Sequence, residues 1–150
     1  MSYSKGRIYG RRRMRDIVFR AIYQYDFHSD IDITTKFLED ELSYCLLSAE
    51  LVKLAKKYLF GIIDNRNQLD QIIDESLSNW TLNRLASVDK NVLRLGTYEL
   101  LYEDSVPIEV TLNEAIEIAK MYATQQDGKF VNGVLDKIAK KYAKEEKKKL

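Results

Sequence analysis

Ser87-Val88-Asp89-Lys90-Asn91-Val92-Leu93-Arg94-Leu95-Gly96-Thr97-Tyr98-Glu99-Leu100-Leu101-Tyr102-Glu103 is the stretch that decides the fold. Wound as a helix, it puts Val88, Val92, Leu93, Leu95, Leu100 and Leu101 on nearly every side. A helix without a broad polar face belongs in the middle of a bundle. Ser87 reads as its N-cap, and Pro107 breaks the chain beyond it.

Working outward, the spacing stays helical. Downstream, Thr111-Leu112-Asn113-Glu114 reads as a capping box opening a sixth helix, about Leu112–Tyr122. A seventh, about Gly128–Tyr142, buries Val131, Val134, Leu135, Ile138 and Tyr142. Upstream, Met14, Ile17, Val18, Ala21, Ile22 and Tyr25 form one stripe on a first helix, about Arg12–Phe27, ended by His28. A second covers about Ile33–Ser43. Ser48 caps a third that runs to about Asp64, and a fourth covers about Asn67–Ser78. No segment alternates with period two long enough to make a strand; Ile108-Glu109-Val110 is too short. The expectation is an all-α protein, one domain over residues 1–150, with about seven helices in two packed sub-bundles, 11–65 and 66–142. Residues 143–150 are expected to be a disordered Lys-rich tail.

The net charge of +1 hides a segregation. Residues 1–20 carry seven basic side chains against Asp16, and residues 137–150 carry seven lysines against Glu145 and Glu146. Residues 21–136 hold 10 basic and 20 acidic side chains. Such a chain suits an anion at its ends and a basic protein at its middle. With one cysteine there is no internal disulfide. No apolar run has the length of a membrane span, so the expected setting is soluble and cytoplasmic.

Catalytic signatures are missing. One histidine and one cysteine cannot build a metal cluster, and Gly6-x-x-x-Gly10 lacks the Lys-Ser/Thr of a P-loop. Cys45 reads as a small core residue. No enzyme activity, cofactor or metal is expected.

Binding chemistry is richer. Arg11-Arg12-Arg13-Met14-Arg15 stands where the first helix is expected to begin, the end at which its dipole disfavours cations. Guanidinium forks there suit phosphates. On the helix projection Arg12, Asp16, Phe19 and Tyr23 lie opposite the apolar stripe, flanked by Arg13, Arg20 and Arg15. Aromatics among arginines suit single-stranded nucleic acid; Phe19 fits a core role equally well. Gly128-Lys129-Phe130-Val131-Asn132-Gly133 is a second candidate, with helix amides and Lys129 available to phosphate; a loop-and-cap role for Asp127 and Gly128 explains the motif equally well.

These segments, together with Tyr98-Glu99-Leu100, Val106-Pro107-Ile108, Asn113 to Lys120 and Lys129 to Asp136, resemble the NusB family of transcription antitermination factors. The matching runs keep the family order from about residue 11 to 140, and the C-terminal half is the more specific. The resemblance implies a protein that binds the boxA element of nascent ribosomal RNA as a single strand. It would do so together with NusE, on elongating RNA polymerase, and suppress termination. It implies that Arg11, Arg12, Arg13 and Arg15 hold phosphates and that Tyr23 stacks on or bonds a base. Lys129, Phe130 and Asn132 would form the other wall of the RNA track, and Asp89 and Arg94 would face NusE. Some members self-associate through the arginine-rich face. Gln125-Gln126-Asp127-Gly128 departs from the family pattern, so no contact is carried over from it. Two other readings stand beside this one: a helical protein-interaction module, and an accessory domain for an RNA-modifying enzyme without RNA specificity of its own.

Overall fold

The computed structural model describes residues 3–150, with side chains from Tyr9 onward. Lys5 and Arg7 of the basic head, and Gly6, therefore lie outside the described side chains. Eight helices and no strand occur among the described residues. They are α1 (Tyr3–His28), α2 (Ile31–Tyr44), α3 (Ala49–Asp64), α4 (Arg66–Glu75), α5 (Ser87–Tyr102), α6 (Ile108–Tyr122), α7 (Gln125–Tyr142) and α8 (Glu145–Lys148), with a 3-10 turn at Leu82–Arg84. The chain is all-α, as the periodicity requires.

Contacts group the chain into two compact units, 1–64 and 65–150. In the first, α1 packs on α2 and α3. Met14, Ile17, Val18, Ala21 and Ile22 of α1 are buried, as are Leu38 and Leu42 of α2 and Ala55, Tyr58, Leu59 and Ile62 of α3. Asp30 caps α2, its carboxylate accepting from the amides of Asp32 and Ile33. Ser48 Oγ accepts from Leu51 N at the head of α3.

In the second unit α5 packs on α4, α6 and α7, and α6 on α7. Every residue from Asn91 to Leu100 is buried, which is the all-round burial its composition demands. Gly96 allows the closest approach: a Cβ there would meet Leu135 Cδ1 at 2.6 Å.

Three helix starts differ from the sequence reading. Ala86, not Ser87, is the N-cap of α5, and no side chain caps it. Helix α6 begins a turn earlier than expected, directly after Pro107, whose missing N–H costs nothing at a helix start. Thr111 is thereby inside α6, and its hydroxyl donates to Glu99 Oε1 at 2.6 Å instead of capping. The capping box belongs to α7, where Thr124 accepts from Asp127 N and the Asp127 carboxylate accepts from Thr124 N.

The lysine-rich end is also placed differently from expectation. Residues 145–148 form α8, and Lys147 is 2% exposed. Its Nζ donates to Glu99 O and Glu103 O, both at 2.7 Å. These carbonyls lie at the C-terminus of α5, where helix bonds run out and a cation is favoured. Composition suggested a solvated tail; a specific pair of acceptors orders it. Burial draws the Lys147 ammonium below its ordinary range, and Glu99, Asp104 and Glu103 push it back up.

Candidate nucleic-acid interface

Helix α1 begins at Tyr3, so the arginine run lies two turns inside it and not at its positive pole. The dipole penalty fades within one turn; it says nothing about Arg11–Arg15. Their exposure is more informative. Arg12 and Arg13 are exposed and Arg11 is half-buried. Arg11 meets Glu50 at 3.8 Å, and Arg13 Nη1 lies 3.7 Å from Cys45 Sγ. Arg15 is 5% exposed, which corrects its assignment to phosphate.

The reason is a drift along the helix. Residues four apart advance about 40° around the axis, so the row Arg15, Phe19, Tyr23, Phe27 winds from the interior outward. Phe19 is 2% exposed, Tyr23 half-buried and Phe27 66% exposed. Phe19 is therefore core. The Tyr23 ring sits between its neighbours, 5.9 Å from Phe19 and 5.1 Å edge-on from Phe27. Arg20 is held by Asp16 and Glu41 and lies over the Phe37 ring at 5.6 Å. That leaves a face of α1 with exposed guanidiniums followed by a supported aromatic.

In the second unit the first turns of α7 carry Lys129, exposed, with Phe130 and Asn132 half-buried. Gly128 is buried against α6, close to Lys120 and Ile116. Asn132 lines a groove of about 420 Å³ with Ile108, Leu112, Asn113 and Lys140.

Asp89 and Arg94 are both turned inward. The Arg94 guanidinium is 5% exposed and grips Asp70 with two bonds, 2.7 and 3.0 Å, while Nη1 donates to Asn91. Its charge is spent inside the unit, so a direct contact to a partner is not carried forward. Asp89 is 7% exposed and pairs with Asp127 at the head of α7. Burial first, then the hydrogen bond and charge of Asp127, push the Asp89 carboxyl up to about 7. Asp127 is held low, first by the Thr124 hydrogen bond and then by Asp89. The pair thus shares one proton below neutrality, and α5 is tied to the capping box of α7.

Sequence reasoning missed Asp70, the pairing of Asp127 with Asp89, and Lys147. The Thr-x-x-Asp spacing at 124–127 could have revealed the cap; nothing local signals a partner 24 residues away. Among the described residues no cluster of three or more His, Cys, Asp or Glu side chains is placed to hold a metal, and no helix is long and apolar enough to cross a membrane.

Known proteins share this pattern. The profile of the NusB family matches residues 12–140. The transcription antitermination protein NusB of Pseudothermotoga lettingae is 50% identical over 141 residues, 92% of this chain and 96% of that protein. Its counterpart in Thermotoga maritima is 50% identical over 137 residues, 91% and 95% of the two chains. The solved T. maritima NusB structure superposes with a TM-score of 0.86, covering 93% of this chain and 97% of that one. A crystal structure of antitermination factors NusB and NusE with double-stranded RNA matches with a TM-score of 0.79 at 28% identity, over 89% and 98%.

Proposed function

The chain belongs to the NusB family, and on that premise we propose that it binds the boxA element of nascent ribosomal RNA as a single strand, together with NusE, and joins elongating RNA polymerase to suppress termination. Its relatives are antitermination proteins, not enzymes. The observation that carries the RNA reading is the exposed Arg12–Arg13 pair with Arg11 beside it on α1. Arginine forks hold phosphate oxygens two bonds at a time. Tyr23, held between Phe19 and Phe27, offers a ring to a base. Lys129, Phe130 and Asn132 on α7 are the contacts proposed for the second unit. The acidic middle of the sequence suits NusE, which the family resemblance gives as a protein of the small ribosomal subunit and so a basic partner. The setting is the cytoplasm. Self-association through the arginine-bearing face belongs to the same proposal; sedimentation at several concentrations tests it.

Four cations remain for phosphate once Arg15 is assigned to the interior. At about −0.7 per single-strand contact, log K against log salt should fall with a slope near −3. Anisotropy of a labelled single-stranded boxA RNA, titrated across salt, reads this directly. Arg12→Ala should weaken binding and make the slope shallower by about 0.7. Tyr23→Ala should weaken binding with the slope kept. A flat salt response contradicts the reading.

A further inference from the structure

Two exposed aromatics near the arginine run are used by nothing described so far. Tyr9 is 64% exposed and precedes Arg13 by one helical turn on the same face of α1. Tyr44 is 84% exposed at the end of α2, and its chain neighbour Cys45 receives the Arg13 guanidinium at 3.7 Å. Arg13 therefore stands beside a tyrosine on its own helix and beside the turn that carries a second.

That turn is presented at a backbone cost. Leu46 adopts a φ of 54°, in the left-handed region that branched and bulky side chains avoid, and is 89% exposed. The α2–α3 corner also borders a cleft of about 330 Å³ lined by Gly10, Arg11, Leu46, Leu47, Ser48, Glu50 and Leu51. Glu50 is the acidic group there, and its 3.8 Å pairing to Arg11 at a 75% exposed carboxylate is weak.

We propose that Tyr9 and Tyr44, flanking Arg13, form a second stacking platform for bases of single-stranded RNA. The proposal rests on the RNA reading above and extends it to the α2–α3 corner. The neighbouring charge selects the occupant: Arg11, Arg12 and Arg13 attract a polyanion, whereas a basic protein would be repelled. Stacking on tyrosine needs only a ring face, so it tolerates any base, and guanidinium planes stack bases as well.

Both rings are exposed, so their removal leaves the core intact. Tyr9→Ala and Tyr44→Ala should each weaken the labelled single-stranded RNA by about 5-fold or more. The salt slope and the melting temperature should stay unchanged, because no phosphate contact or core residue is lost. Tyr9→Phe and Tyr44→Phe should bind like the unmodified chain, and ultraviolet cross-linking should map to both tyrosines. Alanine variants that bind RNA as well as the unmodified chain would overturn the proposal. So would variants that lose NusE capture but keep RNA affinity, since the corner would then dock protein. If the unmodified chain shows no salt-dependent RNA binding, the RNA reading itself falls.

Discussion

Arg94 spends its charge inside its own unit. Its guanidinium holds Asp70 through two bonds and Asn91 through a third. Arg94→Ala leaves Asp70 and Asn91 without that partner, and should cost about 3 kcal/mol of stability. Urea denaturation would show it as a lower midpoint at unchanged slope. Asp89 makes a prediction in pH. Its folded-state value, about 7, lies above the ordinary 3.8, so the native protein binds the proton more tightly than the unfolded chain. Stability from this group is fully present below about 4 and declines as pH rises towards 7. Asp89→Asn mimics the protonated acid. Its advantage over the unmodified chain should be largest at pH 8, smaller at pH 5 and nearly gone below about 4, and melting temperatures across that range check this. Arg12 and Arg13 were legible as surface cations because they avoid the apolar stripe. Arg15 and Phe19 were not, because which part of a slanting row is covered depends on packing that one helix cannot announce.

At the scale of elements, α5 and the helices around it were the most readable part. Runs of apolar residues at helical spacing fix the existence of a helix, and all-round apolarity fixes its central place. Helix ends were less readable. Thr111-x-x-Glu114 and Thr124-x-x-Asp127 look alike as strings, yet only the second caps; Pro107 starts α6 early and carries Thr111 inside it. Helix α8 was invisible in composition because the acceptors of its Lys147 ammonium lie at the open end of α5, more than 40 residues away along the chain. Lys147→Ala removes both charge-assisted bonds to Glu99 O and Glu103 O, and should destabilise the second unit by about 1–3 kcal/mol. Hydrogen exchange should then speed up at the C-terminal turn of α5 and throughout α8. Unchanged exchange at both would mean that α8 is held by other contacts.

For the whole molecule, the segregation of charge seen in the sequence becomes a division of labour. Arg12 and Arg13 of the basic head are exposed on α1, and four of the seven lysines of the C-terminal end are spent inside the second unit or paired along it: Lys147 on α5, Lys140 with Asp136, Lys144 with Asp104, Lys148 with Glu145. The head is therefore the stronger candidate for phosphate, and the acidic middle the stronger candidate for a basic partner protein. The proposed function stands on specific recognition of boxA RNA by this chain with NusE. Its most direct test is the affinity of labelled boxA RNA and of a scrambled RNA of equal composition, each measured with and without NusE at one salt concentration. NusE should tighten boxA binding well beyond the scrambled control. Equal affinity for the two RNAs in the presence of NusE would contradict it.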